Sequence, residues 1–340
     1  MRQGHNPHKD KREVISGFFH QVIIPVYIPE QGEYFRDGPE ILSYCLESLF
    51  KTVHEQTFIT VINNGSSARV ANYLDGLFAD GKIHELIHSA NIGKLNAVLK
   101  GLIGHKFDLV TISDADVLFL DGWQKAASEV FSNFAKAGAV CTTPSSKSFR
   151  NHTANIWAKF LFSKKIGFSA VENPDALQAF AHSIGNPNYY SKAQLDRYLT
   201  LSSNGKKAVL GAGHFCATYR GDIFESLQKR FSEFKLGGKS ENDILDKPVQ
   251  QNGFYRLSTI DNFTCHMGNV REDWMPETLS EVGKTKPVAT KVVLSAGAKP
   301  NFFEKIVVRC FTTLLTRKNL AARLLVYKGM SAADAQKYVL

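Results

Sequence analysis

Residues 109–123 read Leu-Val-Thr-Ile-Ser-Asp-Ala-Asp-Val-Leu-Phe-Leu-Asp-Gly-Trp and contain the strongest structural signal in this chain. An apolar run typical of a buried strand ends in two carboxylates, Asp114 and Asp116, one residue apart. Mg²⁺ and Mn²⁺ take oxygen ligands from one or two such carboxylates together with phosphates and water. Two solvated carboxylates in a turn would give the same short pattern, so the surrounding sequence must discriminate.

The hundred or so residues that precede this pair alternate between strand-like and helix-like patterns. Apolar runs predict strands at 21–28, 58–62, 83–87 and 108–112. Between them, apolar residues at helical spacing predict helices at 39–53, 68–78 and 91–102. This alternation predicts an α/β fold with a mostly parallel sheet flanked by helices. Ligands bind beyond the carboxyl ends of such strands. Pro25-Val26-Tyr27, Asn63-Asn64 and Asp114-Ala115-Asp116 all follow strands, so these three loops are expected to converge on one crevice.

The bulk composition excludes several classes of protein. The chain has 340 residues, 44% of them hydrophobic and 21% charged, which is enough for a sizeable globular core. No apolar run reaches 18 residues and the N-terminus is polar, so we expect neither a membrane span nor a signal peptide, and a cytoplasmic protein. The five cysteines are scattered and form no Cys-x-x-Cys pair, which argues against a disulfide framework or a zinc site.

The positive charge is concentrated at the C-terminal end. Residues 284–340 contain 11 Lys and Arg against Glu304 and Asp334, which is 11 − 2 = +9, the net charge of the whole chain. Within this tail, residues 302–318 have an amphipathic helical pattern that is typical of helices lying in a membrane interface. A helix packed on its own domain would show the same periodicity. The charge favours the first interpretation and predicts an anionic membrane surface as a partner.

The order of the motifs resembles glycosyltransferase family 2, the GT-A fold of nucleotide-sugar-dependent transferases. The resemblance extends over about residues 21–268. Its matching segments are Val22-Ile-Ile-Pro-Val-Tyr27, Val61-Ile-Asn-Asn-Gly-Ser-Ser67, Asn91-Ile-Gly-Lys-Leu-Asn-Ala97, Ser113-Asp-Ala-Asp116, Gly211-Ala-Gly-His214, Glu241-Asn-Asp243 and Cys265-His266. The resemblance implies an inverting, metal-assisted transfer of a sugar from a nucleoside diphosphate sugar to a hydroxyl of a glycan or a lipid-linked acceptor.

The resemblance also implies roles for individual residues on the donor side. Pro25, Val26, Tyr27, Asn63 and Asn64 would bind the base and ribose, although the family often has an aspartate where this chain has the two asparagines. Lys94 follows a glycine at a helix start and would lie near the diphosphate. Asp114 and Ala115 would contact the donor, Asp114 and Asp116 would hold Mn²⁺ or Mg²⁺, and His266 would complete the metal site. A satisfied histidine beside a core strand is the alternative for His266.

On the acceptor side, the acidic pair that usually supplies the general base is interrupted here by Asn242. Glu241 and Asp243 are therefore rival candidates, with Asp243 preferred; both would also suit a helix N-terminus without any catalytic role. Gly213, His214 and Trp274 are candidate acceptor-binding residues, whereas core packing is the ordinary fate of such aromatic side chains.

The expected organisation is a polar N-terminal segment (1–19), a nucleotide-sugar-binding half (20–123), an acceptor-binding and catalytic half (124–283) and a basic helical extension (284–340). One other function remains open, and a second is considered and disfavoured. A catalytically silent carbohydrate- or nucleotide-binding protein could retain the same motifs. A nucleic-acid binder is not expected, because apolar residues are interleaved with the basic ones in the tail.

Overall fold

The computed structural model of this chain describes residues 4–7, 9–11, 17–30, 32–297 and 299–339. The predicted N-terminal segment, 1–19, lies partly outside the described residues.

The first third of the chain consists of alternating strands and helices, as the apolar patterns predicted. In chain order these elements are β1 His20–Val26, α1 Gly38–Thr52, β2 Thr57–Asn64, α2 Ala68–Ala79, β3 Glu85–Ser89, α3 Lys94–Leu102 and β4 Leu109–Ser113. Every residue of β1 and β4 is buried, because helices cover both faces of the sheet. Pro39 lies in the first turn of α1, where a proline costs no hydrogen bond.

The second part of the chain is more irregular. Its strands are β5 Val117–Phe119, β6 Ala137–Cys141, β7 Ile166–Ala170, β8 Arg197–Ser203, β9 Lys206–Leu210, β10 Cys216–Arg220, β11 Tyr255–Ser258 and β12 Thr264–His266. Its helices are α4 Trp123–Asn133, α5 Ala154–Phe160, α6 Pro174–Ser183, α7 Lys192–Asp196, α8 Asp222–Glu225, α9 Lys247–Gln251 and α10 Trp274–Glu281. The acidic segment predicted to start a helix at Ser240 forms a π-helical turn, Asn242–Asp246, that runs into α9.

Ten of these strands form one sheet in the order β3-β2-β1-β4-β10-β6-β11-β9-β8-β7. The pairings set the strand directions: β1, β2, β3, β4, β6, β8 and β11 run one way, and β7, β9 and β10 run the other. Seven strands against three confirm the predicted mostly parallel sheet. β10 lies between β4 and β6, so the sheet continues across the predicted boundary at residue 123.

A separate two-stranded sheet joins β5 to β12. These short strands are antiparallel, and His266 pairs with Val117. The backbone amide of Met267 also donates to the carbonyl of Asp116 at 2.8 Å. A late segment of the chain is thereby fixed beside the Asp-x-Asp loop.

The basic C-terminal extension is helical, as predicted, with α11 Phe302–Thr316, α12 Lys318–Tyr327 and α13 Ala332–Tyr338. Val308, Phe311 and Leu315 of α11 pack into the same apolar cluster as α5. At roughly 100° per residue, Phe302 and Ile306 lie on nearly the opposite side of the helix and are exposed. α11 therefore packs on its domain with one apolar face and leaves a second one uncovered. Among the helices that the structure describes, none has the length and apolar content needed to cross a membrane.

Candidate active site

The loops after β1, β2 and β4 meet at the carboxyl edge of the parallel strands. Val26 pairs with Asn63 across β1 and β2, and β4 lies on the other side of β1. The Asp114 amide, just beyond β4, donates to the carbonyl of Phe215 at 2.7 Å, which connects this loop to the segment before β10. Ala115 packs half-buried against the apolar cluster beneath the loop. The predicted convergence of the three loops is what the sheet register produces.

The side chains of Asn63 and Asn64 hold loops together. The Asn63 Oδ1 accepts from the Ser66 amide at 2.9 Å, and its amide nitrogen lies 2.9 Å from His88 Nδ1. The Asn64 Oδ1 accepts from the Ile92 amide at 3.0 Å, in the loop before α3. Both side chains are buried, so their recorded role is to shape the crevice. Tyr27 is partly exposed at its mouth, with its ring in edge contact with Phe35.

Lys94 lies at the centre of the polar cluster. Its Nζ is 2.6 Å from Asp114 Oδ1 and 3.1 Å from Glu241 Oε1, and all three side chains are largely but not fully buried. Burial alone would lower the pKa of Lys94, but the two carboxylates outweigh it and raise the pKa above its usual range. Burial likewise opposes ionisation of Glu241, yet Lys94 and His214 hold the Glu241 pKa below its usual value. An ammonium shared by two carboxylates thus joins the Asp-x-Asp loop to the 241–246 turn.

The N-terminus of α3 is covered by the segment that precedes this turn. The Lys94 amide donates to the carbonyl of Lys235 at 2.8 Å. Gly93 has φ +91°, and a Cβ there would lie 2.7 Å from the Cα of Lys235. Only glycine tolerates both this backbone conformation and this close approach. The backbone amide of Lys94 is therefore occupied in this conformation, and phosphate binding at this helix start stays a prediction for the Lys94 side chain.

Asp116 and His266 come together through the β5–β12 pairing. His266 Nε2 lies 3.5 Å from Asp116 Oδ2, and Ser183 Oγ lies 2.9 Å from His266 Nδ1. A hydrogen bond at Nδ1 that orients the ring toward an acidic partner is the usual setting of a metal-binding histidine. The other oxygen of Asp116, Oδ1, is buried and has no hydrogen-bond partner among the described residues. Burial, followed in size by the opposing charge of His266, leaves the Asp116 pKa raised.

These observations fit a divalent cation that takes part of its shell from a bound substrate. An oxygen without a partner, a second carboxylate and an oriented imidazole are donors that Mg²⁺ and Mn²⁺ accept. No preassembled group of three or more His, Cys, Asp or Glu ligands occurs in the described part of the chain. The residues present fit a metal site that is completed by phosphate oxygens and water.

The two candidate bases point to different surroundings. Asp243 Oδ1 is 2.6 Å from Lys247 Nζ, and its Oδ2 is 3.3 Å from Lys229 Nζ. Hydrogen bonds from these two lysines, Lys247 first, hold the Asp243 pKa below its usual value. Glu241, by contrast, belongs to the Lys94 cluster. The preference for Asp243 finds no geometric support, because its carboxylate is occupied by partners outside this cluster.

His214 is held by a buried ion pair that sequence reasoning missed. Asp246 Oδ1 is 2.7 Å from Arg256 Nη2 with both side chains buried, and Asp246 Oδ2 is 3.3 Å from His214 Nε2. His214 Nδ1 is buried and has no partner among the residues that the structure describes. Arg256 also donates to the carbonyl of Ala212 at 2.7 Å, which fixes the backbone of the loop. His214 is thus presented to the site with an unused nitrogen.

The loop that contains His214 depends on a glycine at its start. Gly211 has φ +92°, and a Cβ there would lie 2.1 Å from the carbonyl oxygen of Ser148. Gly213 contacts Cys141, where a Cβ would be in ordinary van der Waals range at 3.4 Å. The close approach at Gly211 lets the loop turn toward the 241–246 segment.

A cavity of about 320 Å³ opens beside His266. Its lining combines Trp274 with Phe180 and polar side chains such as Thr143 and Asn262. The Trp274 indole nitrogen donates to Glu272 at 3.1 Å, so the ring has a fixed position at the rim. Aromatic faces next to hydroxyl and amide groups suit a sugar ring.

Several contributors to the site were not predicted from the sequence. Asp246 lies three residues after Asp243 in the same acidic segment, and this spacing could have flagged it. Ser183 and Arg256 gave no local signal, because a serine at the end of a helix and an arginine in a strand are ordinary. Their roles depend on contacts with His266 and Asp246, which are distant in sequence.

A mostly parallel α/β sheet with a lysine, carboxylates and an oriented histidine at its carboxyl edge is the architecture of an enzyme that binds a phosphorylated nucleotide ligand. The chain belongs to glycosyl transferase family 2, whose family model matches residues 22–227. The predicted family is therefore confirmed, and the mixed α/β sheet described above is the predicted fold class. No curated protein matches the sequence of this chain.

Solved structures give distant matches. Residues 1–349 of Staphylococcus aureus TarS, in complex with UDP-GlcNAc, are 12% identical, with a TM-score of 0.44, covering 76% of this chain and 61% of that one. A TarS structure with TM-score 0.42 and 12% identity covers 78% of this chain, which spans only 38% of its length. The mannosyltransferase PcManGT from Pyrobaculum calidifontis, in complex with GDP-Man and Mn²⁺, has 12% identity and TM-score 0.42, covering 93% and 73%. At these values none of them identifies a substrate of this chain.

Proposed function

We propose that this glycosyltransferase moves a sugar, with inversion, from a nucleoside diphosphate sugar to a hydroxyl of a glycan or lipid-linked acceptor. The observation that supports this most directly is the Lys94 ammonium, shared between Asp114 and Glu241 at the carboxyl edge of the sheet. It connects a group suited to a diphosphate with a carboxylate suited to proton transfer. Residues 20–123 would supply the donor half of the site and 124–283 the acceptor half.

On the donor side, the backbone of Pro25, Val26 and Tyr27 and the loop shaped by Asn63 and Asn64 would border the base and ribose. Lys94 would turn from its carboxylates to the diphosphate, where a lysine acts as a mobile point charge. The partly exposed ring of Tyr27 is available for stacking at the mouth of the crevice. The identity of the base is not specified by these contacts.

A Mn²⁺ or Mg²⁺ ion would be held by Asp116 and His266, with Asp114 as a further ligand once Lys94 is drawn away. When bound, such an ion neutralises the charge that develops on the leaving diphosphate. Ser183 would keep His266 in the tautomer that leaves Nε2 free. The buried, unpartnered Oδ1 of Asp116 is the observation that supports this assignment.

For the general base we propose Glu241 instead of Asp243, because only Glu241 belongs to the cluster around Lys94. Lys94 keeps this carboxylate ionised before the donor binds. When the lysine moves to the diphosphate, Glu241 gains proton affinity, since only His214 then still offsets its burial. The carboxylate would then accept the proton of the attacking hydroxyl.

The acceptor would lie between the loop at Gly213 and His214 and the cavity beside Trp274. The free Nδ1 of His214 can accept a hydrogen bond from a sugar hydroxyl. A cavity of about 320 Å³ has the size of a small saccharide unit. This arrangement supports a carbohydrate acceptor without naming its linkage.

The extension 284–340 would attach the enzyme to the cytoplasmic face of an anionic membrane, where lipid-linked acceptors would be reached. Phe302, Phe303, Ile306 and Val307 form an exposed apolar strip on α11, next to Lys305. An apolar strip bordered by cations is the pattern of an interfacial helix. The opposite face of α11 packs on the domain, so the helix would join the membrane to the catalytic part.

The test of the proposed function is a panel of nucleoside diphosphate sugars with Mn²⁺. Donor binding is measured by thermal shift, and turnover by release of the nucleoside diphosphate, with Asp116→Ala as the control variant. We expect one donor to raise the melting temperature and to be turned over only with the metal. Stabilisation by a donor without any turnover, in wild type and variant alike, would instead indicate a silent binding protein.

A further inference from the structure

A second exposed apolar feature lies outside the C-terminal extension, at the turn that follows α5. Phe162 is 86% exposed, more than Phe302 or Phe303 of α11. Its recorded ring contact is an edge contact with Tyr327 at the end of α12, 6.0 Å between centroids, and Tyr327 is itself 59% exposed. Exposing two adjacent aromatic rings to water is unfavourable in free energy, because apolar surface is more stable out of water.

The turn holds Phe162 outward through specific hydrogen bonds. The Ser163 amide donates to the carbonyl of Phe160 at 3.0 Å, and the Lys165 amide donates to Ser163 Oγ at 3.1 Å. Lys328 donates to the carbonyl of Ser163 at 2.8 Å, which ties the turn to the end of α12. The exposure of Phe162 is therefore a property of an ordered, closed turn.

The segment that contains Phe162 is basic. Residues 159–165 contain Lys159, Lys164 and Lys165 and no acidic residue, and all three are exposed. Arg323, on α12, is also exposed. None of these four side chains forms an ion pair with a described residue.

We infer that the surface formed by Phe162, Tyr327 and the lysines of residues 159–165 inserts into an anionic lipid bilayer. The rings would enter the interface, and the cations would remain at the headgroups. A second copy of the chain is disfavoured as the occupant, because two such surfaces would bring like charges together. A nucleic acid would bind the cations, but it would not explain why an aromatic ring is exposed at the tip of the turn.

This inference rests on the proposed membrane association and adds an attachment point within the catalytic half. α11 packs into the same cluster as α5, and α5 leads directly into the Phe162 turn. The extension alone would tether the enzyme. An additional contact at this turn would restrict how the catalytic domain is oriented over the membrane.

The test uses the full chain and vesicles of phosphatidylcholine with phosphatidylglycerol, with phosphatidylcholine alone for comparison. We expect Phe162→Ser to weaken co-sedimentation about tenfold and Lys164→Glu with Lys165→Glu to weaken it at least about fivefold, with less dependence on salt. The control, Ile103→Ser with Lys106→Glu, removes an apolar residue that is 75% exposed and a lysine that lies 3.9 Å from Glu225, elsewhere on the surface. This control should bind vesicles as wild type does.

A direct readout separates this inference from the attachment by the extension. In Phe162→Trp, the new fluorescence should be quenched by lipids brominated on their acyl chains. One outcome would refute the Phe162 surface and support attachment by the extension alone. In it, wild type binds vesicles, the double variant Phe302→Ser with Phe303→Ser does not, and the tryptophan at position 162 is not quenched. If wild type does not bind anionic vesicles, both the Phe162 surface and the attachment by the extension are refuted. If sedimentation equilibrium shows a dimer that Phe162→Ser dissociates, the surface binds a second copy of the chain instead of lipid. If the chain binds duplex DNA and the lysine variant abolishes this binding, the surface binds nucleic acid instead.

Discussion

The choice between Glu241 and Asp243 as general base gives the sharpest test of the proposed site. In Glu241→Gln, loss of a general base should slow donor turnover by about 10² to 10⁴, which is about 3 to 5 kcal/mol of activation free energy. Stability should change little, on the order of 1 kcal/mol, because the Lys94–Glu241 pair is partly solvated and Lys94 keeps Asp114. Donor affinity should survive, since the base acts on the attacking hydroxyl.

Asp243→Asn is the matched control, two residues away on the same turn. It removes exposed ion pairs with Lys229 and Lys247, each worth about 0.3 to 0.5 kcal/mol, and should leave the turnover rate within about twofold of wild type. The assay is release of nucleoside diphosphate at saturating donor, with donor affinity measured by calorimetry. A Glu241→Gln enzyme with half the wild-type rate, or an Asp243→Asn enzyme as slow as predicted for Glu241→Gln, would refute the assignment.

Three further predictions follow from contacts and pKa shifts. Asp116→Asn should abolish the metal dependence of donor binding with a loss of turnover of at least about 10², and full activity of wild type in excess EDTA would contradict the metal site. Lys94→Met should weaken nucleoside diphosphate binding about tenfold, because an ammonium suited to a phosphate is lost. It should also move the acidic limb of the turnover profile to higher pH, because burial then raises the Glu241 pKa against the charge of His214 alone. Lys100→Met, exposed on the same helix, should do neither. Burial first, and the charge of His54 second, lower the pKa of His20 to about 3, so below about pH 6.5 the unfolded chain binds a proton that the folded chain does not. The free energy of unfolding measured by urea titration should therefore fall by up to about 1.4 kcal/mol per pH unit as the pH falls below about 6.5. His20→Gln should reduce this slope, and His182→Gln, at an exposed position, should leave it unchanged.

The fold of the first third could be predicted because each of its elements shows its own periodicity. β1 and β4 are buried on both faces and appear as continuous apolar runs. The sequence of residues 145–206 has no clear period, although this region contains α5, β7, α6, α7 and the whole of β8. Its strands are paired antiparallel near the end of the sheet, and three of the five residues of β7 are only partly buried, so neither a continuous nor a strictly alternating pattern develops.

The site was predictable in its residue types but not in its pairings. The strand ends led to Asp114 and Asp116, and the glycine before a helix led to Lys94. The partner of Lys94 is Glu241, 147 residues away, which no local pattern could indicate. The choice between Glu241 and Asp243 could not be made from the sequence, because it does not show which side of a turn faces the sheet. Two residues apart on a helical turn correspond to roughly 200°, so Glu241 and Asp243 point in nearly opposite directions.

The pairing of β5 with β12 has a consequence for the order in which the site assembles during synthesis of the chain. Residues 117–119 leave the ribosome long before residues 264–266, and only their pairing brings His266 to Asp116. A nascent or truncated chain that ends before this point would contain the complete Asp-x-Asp loop but lack the histidine. We therefore expect such fragments to be poor at capturing metal ions and unable to consume activated sugars. If Asp116 and His266 hold the metal as proposed, pairing two short strands so far apart in the chain would postpone sugar transfer until residues 264–266 have been synthesised.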